Sequence, residues 1–358
     1  MEQQNPLHPY TALELLDRTF RIYRDNFMSF LVPVALVTVP VTILNLISSE
    51  LYTQRVLELQ PLVNDIQRAG RSASISAAQQ RELLSAASEV FNVIFIFLGF
   101  VMLTSLIQTV LMHSIVTQMA SESHLGYRVT AGEAFRAVRG RLLPLLGGMI
   151  VAAIIFGLLA AAITVVTGLL PICGLFFMVL IYVWLALFSL LPPTIVLERA
   201  SVGLALRRAW SLGKARVWQI LGITVAIGLI NYIITLGLTT ALGLFVPDTS
   251  SLTLDAGDIA TLIIQFVVTI VVSPVIPIAF TLLYYDARVR VEGLDIALQN
   301  SPIANARPAD LDSPQPTDTL VSGRDFGSMV MMAIVVVGFG GLVLCGLSAI
   351  AAPLLSRF

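Results

Sequence analysis

Seven long apolar runs, each nearly free of charged residues, decide what this chain can fold into. They fall at about 27–47, 90–120, 142–166, 172–196, 217–245, 259–285 and 328–352. A helix crosses the hydrocarbon of a bilayer with roughly 20 residues, so each run is long enough. Inside lipid the backbone must satisfy its own polar groups, which makes unpaired runs of this kind helices. A soluble fold has no way to cover them: the 358 residues are 57% hydrophobic and 12% charged, against about 25% charged in soluble domains. The expected fold is an all-α polytopic membrane helix bundle of about seven transmembrane helices.

The segments between the runs carry a second pattern. On a helix, Val202, Leu206, Ala209, Trp210, Gly213 and Val217 share one face. Arg207 and Lys214 sit at one edge of it, Arg216 at the other, and Arg208 lies behind. An apolar stripe with basic flanks is the pattern of a helix lying in the membrane interface, and Trp210 suits that depth. Shifted back by 190 residues, Leu16, Phe20, Tyr23 and Phe27 replace Leu206, Trp210, Gly213 and Val217, while Arg18 and Arg24 replace Arg208 and Lys214. Shifted back by 72, Arg136 replaces Arg208. A three-residue deletion then sets Arg139, Arg141 and Gly147 opposite Lys214, Arg216 and Gly222. Each copy precedes two apolar spans, so the pattern predicts three parallel repeats, at about 10–120, 130–197 and 201–286.

Charge sets the expected orientation. Arg and Lys number 16 in the N-terminal segment and the loops before spans 3, 5 and 7, against 5 on the other side, where the loop before span 2 holds four and the loops before spans 4 and 6 hold none. By the positive-inside rule the N-terminus is cytoplasmic and, after seven spans, the C-terminus lies outside. The expected site is a plasma membrane, with the basic helices on the face of anionic lipid headgroups. Residues 1–298 form the expected six-span domain, with a polar extramembrane insertion at 49–89 holding two helical stretches. The Pro/Asp/Ser-rich segment 299–326 reads as a flexible linker, and 327–358 carries the seventh helix. No cleavable signal peptide is visible, so the first span is expected to be an uncleaved anchor.

The run LLYYDARVRVEGLDIAL (282–298), with ALELLDRTFRIYRDNF (12–27) and LALRRAWSLGKARVWQILG (204–222), resembles the membrane domain attached to some bacterial glycerophosphodiester phosphodiesterases. Its most specific part is Tyr284, Tyr285, Asp286, Arg288, Arg290, Glu292, Gly293 and Asp295. The resemblance covers roughly 10–298. It implies the membrane fold and not the activity, because no polar stretch is long enough for the barrel of about 250 residues that carries the chemistry.

No nucleophile, metal or acid–base constellation stands out, and no cofactor is expected. The candidate lipid-headgroup and interface residues are Arg18, Arg24, Arg136, Arg207, Arg208, Lys214, Trp210, Tyr284, Tyr285, Arg288 and Arg290. Arg288 and Arg290 have Asp286, Glu292 or a lipid phosphate as possible partners. Within the spans, His113, Asn231 and Gln265 are expected to serve helix packing through interhelical hydrogen bonds. A proton relay through His113 lacks a carboxylate in any span centre. Pro192, Pro193, Pro274 and Pro277 read as tolerated kinks rather than a transport site. Gly341, Cys345 and Ala349 form a small-residue stripe that lets another helix approach closely, in this bundle or in another subunit. The expected partners are membrane lipids and other membrane subunits, met through the seventh helix or the 49–89 loop, and not nucleic acid. The reading is a non-catalytic scaffold or accessory subunit. The alternatives are a transporter or channel for a small or lipid-like solute, and a membrane module assisting a separate phosphodiesterase.

Overall fold

A computed structural model describes residues 8–70, 77–169, 177–245, 256–301, 311, 314, 321–332 and 334–335. Every regular element among them is a helix. Among the described residues six helices are long and apolar enough to cross a membrane: Phe27–Glu58, Ala87–His124, Ala131–Val165, Val179–Leu197, Val202–Ala241 and Ala260–Glu292. The protein is a polytopic helix bundle. The apolar expanse of residues such as Leu36, Phe95, Met102, Leu158 and Ile233 faces outward, as lipid in place of water requires.

Helix α1 (Ala12–Asp25) is amphipathic and opens on a capping box, in which Thr11 and Glu14 satisfy each other's backbone N–H groups. It stops at Asn26, and α2 (Phe27–Gly70) begins at once. Two bent connections follow the same plan. Helix α4 (Ala131–Val138), capped by Thr130 and Glu133, passes through a 3-10 turn at Arg139–Arg141 into α5 (Leu142–Leu169). Helix α8 (Val202–Phe245) breaks its own regularity at Arg216, where φ is −123° and ψ is 16°.

The two helical stretches expected in the polar segment 49–89 are there as the far ends of the two span helices. Helix α2 runs unbroken through Gly70, and α3 (Ala77–His124) starts before the polar residues end. At about 1.5 Å per residue, the 44 residues of α2 outreach a hydrocarbon layer of roughly 30 Å, so both helices project from it. Tyr52 stacks on Phe97 at 4.2 Å. Deeper, Thr104 donates to Asn45 at 2.8 Å and Gln108 to Thr38 at 3.3 Å.

The fourth and sixth spans are each two helices. Helices α6 (Phe177–Phe188) and α7 (Leu191–Leu197) part just before Pro192 and Pro193, and α9 (Ala256–Val272) and α10 (Val275–Glu292) part at Ser273 and Pro274. Proline has no N–H to give, so the backbone breaks there. Ser189, Thr194 and Thr281 turn their hydroxyls onto carbonyls of the preceding turn beside these breaks.

Helix α10 is the axis of the packing. From Ile278 to Val289 every residue is buried, with α1, α3, α7 and α8 against it. Gly293 ends it in the left-handed region, φ +64°, where its N–H reaches back to the carbonyls of Arg288 and Val289. A side chain resists that conformation and glycine does not. The short α11 (Leu294–Gln299) follows. Helices α6 and α8 touch backbone to backbone, since a Cβ on Gly213 would lie 1.8 Å from the Ala186 carbonyl oxygen.

The segment expected to link freely to a seventh helix is tied down where it is described. Leu311 packs on the core, the Pro314 carbonyl accepts from Arg208, and Met329 and Met332 of the helical segment 323–332 are buried in this bundle. Gly341, Cys345 and Ala349 lie outside the described residues.

Candidate functional site

The ends of α3, α7 and α10 and the starts of α1 and α8 meet at one end of the bundle, where the basic segments gather. Its centre is a buried cluster of charge. Glu198, just past α7, has a side chain only 1% exposed, and Arg208 on α8 is 2% exposed. Arg208 grips Glu198 with two nitrogens, Nε to Oε2 and Nη2 to Oε1 at 2.8 Å. The same guanidinium reaches Glu292 at 2.8 Å. Arg288 Nε donates to Glu292 at 2.9 Å and its Nη1 to the Tyr284 hydroxyl at 3.1 Å. Tyr284 in turn donates to Glu198 at 2.7 Å. Two guanidiniums face two carboxylates, so the cluster is formally neutral and each ion is hydrogen-bonded, the condition under which buried charge is tolerated.

A second cluster surrounds Asp286, whose side chain is fully buried. It accepts from Arg216 at 2.7 Å, from Arg290 at 3.0 Å and from the Tyr10 backbone N–H at 2.8 Å. Arg290 also donates to the Tyr10 carbonyl at 2.8 Å. The backbone N–H and C=O of one residue of the N-terminal segment are thus both held by α10. Beside it Tyr285 shares a 2.7 Å hydrogen bond with Ser121. The buried ring of His124 stacks over Tyr285 and meets the edge of Tyr10. Burial raises the Tyr10 phenol above its ordinary value, whereas the Thr11 backbone and hydroxyl hold the Glu14 carboxyl below its own.

A third contact fastens segment 323–332. Tyr182 donates to Asp325 at 3.2 Å, Ser322 caps the same carboxylate with its backbone N–H at 2.7 Å, and Lys214 stands 4.0 Å away. Burial alone would raise the Asp325 carboxyl, but the Ser322 hydrogen bonds and the Lys214 charge bring it below its ordinary value.

These positions correct part of the interface reading. Arg208, Tyr284, Tyr285 and Arg288 are buried against protein groups and do not face lipid headgroups. Their charge and hydroxyls are taken up by Glu198, Glu292 and Ser121. Arg290, 36% exposed, sits at the rim. Arg24, Arg136 and Arg207 are exposed, with Arg24 paired to Asp25 at 3.2 Å. Arg18 is half-buried over the Tyr10 ring at 5.3 Å. Trp210 is half-buried with its edge to Tyr182 at 6.0 Å.

The packing residues also differ from expectation. Asn231 and Gln265 are both exposed and do not meet. The Gln265 backbone carbonyl only accepts from Thr269 on its own helix. His113 is half-buried, and among the described residues it is not seen in an interhelical hydrogen bond. Helices α2 and α3 are joined by Asn45, Thr104, Thr38 and Gln108 instead. Also unforeseen are Glu198, Arg216 and Tyr10. The spacing of four between Asp286 and Arg290, and between Arg288 and Glu292, was the available signal for the α10 pairs.

Chemically the arrangement is a clamp. Glu198, Glu292 and Asp286 all accept hydrogen bonds from arginine. Among the described residues no group of three or more His, Cys, Asp or Glu is placed to hold a metal ion. Comparison with protein families, curated proteins and solved structures gives no match.

Proposed function

We propose that this protein is a non-catalytic scaffold or accessory subunit of a bacterial plasma membrane, anchored by the anionic lipids of the cytoplasmic leaflet. One observation carries the reading. The buried charges at the basic end are spent on one another, tying the N-terminal segment, α7, α8, α10 and Pro314 together, while Arg128, Arg136, Arg139 and Arg207 stay exposed around them. A rigid centre with a basic rim suits a platform held against phosphate headgroups.

The same reading takes the chain as three parallel units with a cytoplasmic N-terminus. In support, the aligned positions Asn26, Arg141 and Arg216 are where α1 gives way to α2, where the 3-10 turn leads into α5, and where α8 bends. Orientation is tested with cysteines introduced at two exposed positions, Leu84→Cys and Ala137→Cys, and a membrane-impermeant maleimide on intact cells. Labelling at residue 84 and not at 137 is expected, and the reverse overturns the orientation. The scaffold role is tested by extraction in mild detergent and mass spectrometry of what stays bound. Retained anionic lipid or a stoichiometric membrane partner is expected, and a lone lipid-free monomer overturns it.

A further inference from the structure

We propose that the cleft between the α1–α2 junction and the α3–α4 turn binds the headgroup of one anionic phospholipid, with Arg128 as its phosphate ligand. The cleft encloses about 770 Å³ and is lined by Asp25, Met28, Ser29, Val32, Ser123 and Arg128, among others. Its place in the fold fits a lipid. Asn26 directly precedes one candidate span, and the Leu125–Gly126 turn directly follows another, so the cleft opens at the level where headgroup meets hydrocarbon.

The lining carries both polar and apolar groups. The exposed Arg128 and the hydroxyl-bearing Ser29 and Ser123 supply the polar ones. Among the described residues no carboxylate pairs with Arg128, and the Asp25 carboxylate on the same lining pairs with Arg24 instead. The Arg128 guanidinium is therefore left for an outside anion. Toward the hydrocarbon, Met28, Val32 and Leu36 follow at intervals of four along α2 and are 66%, 60% and 74% exposed. Residues four apart lie one above another on a helix, so they form a single apolar track leading away from the headgroup end. Phosphate at one end and an acyl chain along the other is the complement of this surface.

The inference rests on the reading that this end of the bundle meets anionic lipid, and the experiment separates the two. The full chain in detergent is titrated with phosphatidylglycerol and, separately, phosphatidylcholine, and the first binding event is measured by native mass spectrometry. Wild type should prefer phosphatidylglycerol by about tenfold or more, the size expected of a charge-assisted contact. Arg128→Gln should abolish that preference, and Arg21→Gln, exposed on α1 and outside the cleft, should keep it. Val32→Trp, which fills the cleft, should weaken the first binding of both lipids. If Arg128→Gln and Arg21→Gln weaken phosphatidylglycerol binding equally, attraction is diffuse, and the site is overturned while the basic-rim reading stands. If wild type shows no preference between the lipids, both are overturned.

Discussion

Replacing Gly213 by alanine should separate two helices that touch through their backbones. The added Cβ would sit 1.8 Å from the Ala186 carbonyl oxygen and 2.6 Å from its carbon, whereas ordinary contact begins near 3.4 Å. Helices α6 and α8 must therefore part by about 1.5 Å, because neither atom belongs to a side chain that can rotate away. Overpacking of this kind costs about 1–3 kcal/mol, and a backbone clash belongs at the upper end. The control lies on the same helix. Gly222 has open space around it, and alanine there is favoured over glycine by up to about 1 kcal/mol. One substitution at two positions of α8 should thus act with opposite sign. The three tryptophans are Trp184 on α6 and Trp210 and Trp218 on α8, so intrinsic fluorescence reports this contact. Titration of the detergent-solubilised protein with dodecyl sulfate should shift the Gly213→Ala midpoint down and leave Gly222→Ala unchanged or higher. Equal midpoints for the two variants would refute the close approach.

Arg208→Met should destabilise by about 3–5 kcal/mol, since it leaves Glu198 and Glu292 short of a buried partner. Combined with Glu198→Gln, the loss should fall below the sum of the single losses by 1 kcal/mol or more, read from the same titration. Asp286→Asn should release the Tyr10 peptide, and limited proteolysis should then cut the N-terminal segment faster than in wild type. The Asp325 carboxyl is held below its ordinary value, so its contribution is present above about pH 3.9 and is lost as pH falls through the lower folded value. Acid should loosen segment 323–332, and Asp325→Asn should remove that pH dependence, both measured by hydrogen exchange of the segment.

The apolar runs carried most of the fold, because lipid imposes the helix; the breaks fall at Pro192 and Pro274, whereas Pro33, Pro40 and Pro61 stand inside the continuous α2. Both capping boxes open on the same Thr-Ala-x-Glu quartet, 11–14 and 130–133, a local signal that spacing alone makes legible. The charged centre was far less so. Arg208 stands 10 residues from Glu198 and 84 from Glu292, and a basic residue beside a span looks alike whether it meets a phosphate or a distant carboxylate. Fold-level pairing decides between them. The run at 284–295 stood out as the most specific stretch of sequence, and the structure shows what it does within the chain. It supplies two carboxylates (Asp286, Glu292), two guanidiniums (Arg288, Arg290) and two phenols (Tyr284, Tyr285) to the clusters, and Gly293 closes the helix. Asn231 and Gln265 misled for the converse reason, since a polar residue within a span can also lie on its outward face, as both do.

The clamp also has an order of construction built into it. Ribosomes deliver α7 and α8 before α10, so Glu198 and Arg208 can meet early, but Arg216 has no Asp286 until the last of the six described spans has been made. The peptide of Tyr10 waits longer still, from the first segment synthesised until Asp286 and Arg290 arrive to hold it. A nascent chain that stalls before α10 therefore exposes an unneutralised arginine and a loose amino-terminal end together. An unfinished copy is thus chemically distinct from a finished one at this end of the bundle.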